Sequence, residues 1–202
     1  MDFARHVPNG LSLARLSLVP ALAWLTTEGR ESAFFGLLLL AWATDLLDGW
    51  LARRLGATTR LGAVLDSVAD VSLIVAILFA IWRFHPIVYR DHGLILWAIV
   101  GVWTGVHLAS LARYGRTSSF HTRFAQAGIV LFAAFVVVLF TAGFVAPLYY
   151  LAGSVCLFAG FENALMVWAL ETWRPDVPSL PTALSIRAAD RKSGLPSLPP
   201  ND

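Results

Sequence analysis

Charge is scarce in this sequence. Lysine and arginine number 15 and aspartate and glutamate 13 among 202 residues, so 14% of positions are charged while 57% are hydrophobic. Soluble domains run nearer about 25% charged. The shortfall excludes an ordinary soluble globule and predicts an integral membrane protein of one domain. Lysine is almost missing, with Lys192 alone, and the single Cys156 excludes an internal disulfide. Set in an apolar segment, that cysteine reads as a small packing residue. A net charge of +2, with no basic run interleaved with aromatics, gives no footprint for nucleic acid. Solenoid repeats and a separate soluble domain are also missing.

Long apolar windows are what is present. A membrane span takes about 20 apolar residues, and six windows approach that size: Leu11–Leu25, Ser32–Leu51, Leu61–Trp82, Leu94–Leu111, Phe124–Phe144 and Leu148–Leu170. The expected fold class is therefore all-α integral membrane, six transmembrane helices with a short amino-terminal interfacial helix around Phe3–Asn9. The basic start and Ala21-Leu22-Ala23 imitate a secretion signal, but Arg15 interrupts the apolar run, which favours a retained span. Arg15 is expected to snorkel to the interface, with reaching into the site as the alternative. Residues 1–173 read as the membrane domain. Residues 174–202, with Pro175, Pro178, Pro181, Pro196, Pro199 and Pro200, read as a cytoplasmic tail that buries no core and is disordered.

An even number of spans puts both termini on one side. Twelve of the fifteen Lys and Arg residues fall there, leaving Arg30, Arg83 and Arg90 opposite. That bias places the termini in the cytoplasm. The eight tryptophans read as interface anchors.

Against this apolar background four aspartates stand out: Asp45 and Asp48 in the second window, Asp66 and Asp70 in the third. A carboxylate in hydrocarbon costs about 2.5–3.5 kcal/mol on insertion scales, so each needs a partner. On a helix each residue advances about 100°, which groups Asp45, Asp48, Gly49 and Ala52 on one stripe and Gly62, Asp66 and Asp70 on another. Two stripes facing each other across a short basic turn would repel without a cation between them, and hard carboxylate oxygens select Mg²⁺ or Mn²⁺ over zinc. The small residues leave room for a phosphate-bearing ligand. One arginine of the motif, Arg53, cannot neutralise four carboxylates, which argues against a purely structural ion-pair network.

The run D-x-x-D-G-x-x-A-R, eight residues, then G-x-x-x-D-x-x-x-D, formed by Asp45, Asp48, Gly49, Ala52, Arg53, Gly62, Asp66 and Asp70, resembles the signature of the CDP-alcohol phosphotransferases. Pro8-Asn9, Leu11-Ser12 and Arg15 are similar to that family's amino-terminal pattern, particularly its phosphatidylglycerophosphate synthase-like branch. The resemblance implies a phospholipid-biosynthetic transferase that moves a substituted phosphate from CDP-diacylglycerol to an alcohol and releases CMP. It implies two Mg²⁺ or Mn²⁺ ions on Asp45, Asp48, Asp66 and Asp70, with Asp70 also the base and Gly49, Ala52, Arg53 and Gly62 around the cytidine nucleotide. It further implies a homodimer in the cytoplasmic membrane, with the site open to the cytoplasm.

The acceptor is expected to be glycerol 3-phosphate, with Arg113, Arg116, His121 and Arg123 as candidate acceptor contacts. Arginines at a cytoplasmic loop also satisfy topology alone. Phe120-His121-Thr122 stands where that branch often presents lysine, so inositol phosphate, serine or phosphatidylglycerol stay open as acceptors. Glu162 and Asn163 in the sixth window should face the bundle interior, more for helix pairing than for catalysis. His107 reads as a packed histidine. A reading from another class, a divalent-cation transporter, would need polar groups beyond Asp70; Val71 to Ile81 offers almost none. An inactive lipid-binding scaffold would be expected to lose the aspartates.

Overall fold

The computed structural model describes residues 3–55, 60–116, 122–174 and 177–193, and within them the side chains outside 3–12, 47–55, 60–63, 66 and 191–193. The described residues are mostly helical, with no strand among them, and the chain divides into two compact units, Met1–Arg90 and Asp91–Asp202.

The first unit holds α1 (Phe3–Thr27), α2 (Glu31–Leu55), α3 (Arg60–Phe84) and the single turn α4 (Ile87–Arg90). Helix α1 packs against both α2 and α3. Its turn into α2 uses Gly29 at φ 71°, a left-handed conformation that suits glycine, and Arg30 N–H closes the end by donating to Leu25 O at 2.9 Å. The core is small and, apart from Phe34, aliphatic: Leu22, Phe34, Leu38, Ala41, Ala69, Leu73, Ala76, Ile77, Ala80 and Ile81 are all buried. At the end away from the aspartates, His85 Nε2 lies 2.9 Å from Glu31 Oε1 and Tyr89 donates to Leu78 O at 2.9 Å. Hydroxyls within the helices bond back to the preceding turn, as Thr26 to Leu22 O and Ser72 to Val68 O, so their protons are not presented to lipid.

The second unit is built around α7 (Ala146–Ala169), against which α5 (Gly93–Tyr114), α6 (Arg123–Ala142) and α8 (Leu180–Ser193) pack. A Cβ at Gly153 or Gly160 would come within 2.5 Å of Ile95 Cγ2 and Val102 Cγ1 respectively, so these glycines set how closely α5 approaches α7. Thr122 caps α6 by accepting from Ala125 N–H at 3.1 Å. The last carbonyls of α7 are satisfied from α5: Tyr114 donates to Val167 O at 2.6 Å and Leu170 O at 2.9 Å, and Arg113 Nη2 to Leu170 O at 3.2 Å.

Among the described residues four helical segments are long and apolar enough to cross a membrane: Ser67–Phe84, Gly93–Tyr114, Arg123–Ala142 and Ala146–Ala169. Leu13–Thr27 is a shorter apolar helix. Two expectations are corrected. The amino-terminal lead-in is not a separate interfacial helix, because Phe3–Asn9 is continuous with the first long helix. The tail is not without structure over 180–193, where α8 forms and buries Ala183, with Val177 ahead of it, against Val106, Met166 and Val167.

Candidate functional site

The site begins with a buried arginine. Arg15 lies on the face of α1 that meets α2 and α3 and is 1% exposed. A buried guanidinium is expensive unless charged partners surround it. Two carboxylates do so, one from each neighbouring helix: Nη2 is 2.6 Å from Asp45 Oδ1, and Nη1 is 3.5 Å from Asp70 Oδ1. The planar fork is what lets one side chain reach both acids. Neither carboxylate is buried, their side chains being 47% and 55% exposed. The pair thus has a closed edge against Arg15 and an open edge away from it.

This geometry corrects the expectation that Arg15 snorkels outward and agrees with the alternative, that it reaches in toward the aspartates. The sequence signal was present, since an arginine in an apolar run is penalised until paired, but spacing along one helix could not name partners on two others. Asp45 and Asp70 are brought to a common point, which helical spacing anticipated. Helices α2 and α3 run through the remaining motif positions, and register puts Asp48 one turn after Asp45 and Asp66 one turn before Asp70. The side chains of Asp48, Gly49, Ala52, Arg53, Gly62 and Asp66 lie outside the described residues, and so does His121.

Among the described side chains no group of three or more His, Cys, Asp or Glu is placed to hold a metal. Those described at the motif supply two oxygen-bearing acids, one guanidinium and no nitrogen or sulfur ligand. As a donor set this suits a hard divalent cation and not zinc. Among the described side chains one guanidinium faces two carboxylates that stay open on the edge away from it. Deeper along α3 the buried face is Leu73, Ala76, Ile77, Ala80 and Ile81, an apolar floor. That face offers no polar group to continue a route for ions beyond Asp70.

In the second unit, Arg113 spans the Leu170 carbonyl and lies 5.9 Å from the Trp168 ring centre. Arg116 stacks at 5.3 Å from the Trp173 ring centre, and its own carbonyl accepts from Ser110 Oγ at 2.9 Å. Arg123 opens α6 with an exposed side chain. Arg113 therefore already has a structural task at the end of α7. His107 bonds within its own helix, Nδ1 lying 2.9 Å from Trp103 O, as a packed histidine should. Glu162 is buried and accepts from Leu180 N–H at 3.1 Å, so it holds the start of α8. Its second oxygen and Asn163 Oδ1 have no hydrogen-bond partner among the described residues.

Comparison with known proteins bears on the same stretch. The family profile described as CDP-alcohol phosphatidyltransferase matches residues 5–172. The chain is 36% identical over 104 residues to the CDP-diacylglycerol--glycerol-3-phosphate 3-phosphatidyltransferase of Aquifex aeolicus, covering 46% of this chain and 58% of that protein. It is 38% identical over 98 residues to the human cardiolipin synthase (CMP-forming), covering 44% of this chain and 33% of that one. With a Streptomyces coelicolor protein of the same description it shares 40% over 89 residues, 41% of either chain. The matched stretch thus spans little more than half the length of these relatives, or less. No solved structure matches it at a significant level.

Proposed function

The chain belongs to the CDP-alcohol phosphatidyltransferase family, and from that premise we propose that it transfers a phosphatidyl group from CDP-diacylglycerol to an alcohol and releases CMP. Glycerol 3-phosphate is the acceptor we favour. The observation that carries this reading is the meeting of Asp45 and Asp70, acids from two helices, at one guanidinium with their outer edges open.

Asp45, Asp48, Asp66 and Asp70 are the residues that would hold two Mg²⁺ or Mn²⁺ ions. Bound there, such ions supply charge neutralisation at the donor pyrophosphate and stabilise the departing CMP. The chain's own contribution is positional and acid–base. Asp70 is the more exposed of the two described acids, at 55% against 47%. It would take the proton from the acceptor hydroxyl as that oxygen bonds to the phosphatidyl phosphorus and the bond to CMP breaks. Gly49, Ala52 and Gly62 would let the nucleotide approach the helices closely, and Arg53 would pair with its phosphates. Arg116, His121 and Arg123 are the candidate contacts for an acceptor phosphate, with Arg113 holding the α7 end beside them in sequence.

The proposed setting is the cytoplasmic membrane. Six spans would leave both termini and the aspartates on the cytoplasmic side, where nucleotide-activated lipids are met. A homodimer is the proposed assembly.

Purified protein incubated with Mn²⁺ or Mg²⁺, labelled CDP-diacylglycerol and single acceptors tests the reading through CMP release. Glycerol 3-phosphate should support turnover, EDTA should abolish it and added Mn²⁺ should restore it. Asp70→Asn should lower turnover by about 10²-fold or more, the scale of a lost general base; full activity in that variant would remove the base assignment. Phosphatidylglycerol is the second reading, favoured by relatives named cardiolipin synthase at comparable identity. CMP release with phosphatidylglycerol alone would replace the named product and keep the class.

A further inference from the structure

We propose that Arg15 is a positioning residue for cation binding: from the buried side it braces Asp45 against Asp70 and thereby fixes the open edge at which divalent ions are held. The inference rests on the reading that these acids are cation ligands. It adds a role on α1, outside the aspartate motif of α2 and α3.

Three observations support it. Arg15 is the bulkiest of the fully buried side chains among the described residues, so its position is set by packing and not by solvent. It uses separate terminal nitrogens for the two acids, Nη2 for Asp45 and Nη1 for Asp70, and so fixes their spacing. Those acids come from different helices, and α1 is the helix that packs on both. Without the brace, two carboxylates of like charge would separate until a cation drew them together, and each binding event would carry the cost of that reorganisation. Hydrogen-bonding groups behind metal-ligating carboxylates commonly set affinity in this way.

The opposing effect is plain Coulomb repulsion, because a guanidinium behind the acids also repels an incoming cation. The two effects predict opposite signs, and that makes the proposal testable. Mn²⁺ binding is measured by electron paramagnetic resonance on donor-free wild type, Arg15→Met and Arg15→Lys in lipid nanodiscs, with CMP release followed in parallel. Bracing predicts that half-saturating Mn²⁺ rises about tenfold or more in both variants. Lysine keeps the charge but, as a point charge without the fork, does not span two acids. Excess Mn²⁺ should then recover most of the lost CMP release, which a general folding defect would not allow. If the methionine variant does not fold, the lysine variant decides. Unchanged or tighter Mn²⁺ binding overturns the proposal, as does wild type that binds no Mn²⁺. Wild type that binds Mn²⁺ but releases no CMP from CDP-diacylglycerol sinks the proposed reaction, while the Arg15 comparison still stands or falls on the binding data.

Discussion

At the scale of single residues, the ion pairs around Arg15 are unequal. The guanidinium is shut from solvent while its partners are half open, so losing an acid leaves a charge that cannot relax into water. Removing one partner of a fully buried pair costs about 3–5 kcal/mol, and exposed pairs are worth about 0–1 kcal/mol. For Asp45→Asn, at 2.6 Å from a buried guanidinium but itself 47% exposed, a loss of about 1–3 kcal/mol lies between those limits. Asp70→Asn, at 3.5 Å and 55% exposed, should lose less. Thermal melting of the two variants in one detergent checks the order, and equal losses would count against unequal pairing. The acids were legible in the sequence because two helical stripes of carboxylate stand out in an apolar chain. Their shared arginine was legible only as an alternative, since periodicity reports which residues share a face and not which faces meet.

At the scale of elements, α8 shows why composition misled. The prolines, Pro181 among them, read as part of a tail too poor to bury a core, yet Pro181 falls in the first turn of α8, where a missing N–H costs nothing and a fixed φ helps. The first helical bond runs from Ala183 N–H to Ser179 O at 3.1 Å, and Leu180 N–H, which no turn of its own helix can satisfy, goes to Glu162. That stabilising acceptor sits on α7, 18 residues back in the chain, where no local pattern would point to it. Glu162→Ala should release the start of α8 at a cost of about 1–2 kcal/mol, the range of a lost cap. Faster amide exchange at Leu180 and Ala183, with α5 and α6 unchanged, is the expected record. Glu162→Gln keeps a carbonyl acceptor and should retain most of the protection. The α5–α7 contact gives a second test: Gly160→Val drives a branched side chain into Val102 and should lower the melting midpoint by an amount equivalent to about 1–3 kcal/mol.

At the scale of the whole molecule, the question is which side of the membrane the helix ends occupy. Under the proposed topology, the arginine bias would put Arg53, Arg54, Arg60, Arg113, Arg116 and Arg123 on one side and Arg30, Arg83 and Arg90 on the other. The tail rejoins the bundle through Glu162, but its charged end, including Asp190, Arg191 and Lys192, should stay with the majority. Single cysteines at Thr58, Asp91 and Asp190, introduced after Cys156→Ala, make this measurable with a membrane-impermeant maleimide. In sealed vesicles of inverted orientation, the reporters at Thr58 and Asp190 should label and that at Asp91 should not; in right-side-out vesicles the pattern should reverse. Labelling of Thr58 and Asp91 from one side would mean that α3 does not cross. The proposed cytoplasmic opening at the aspartates would then fall, and the proposed reaction would lack a route for its nucleotide-activated donor.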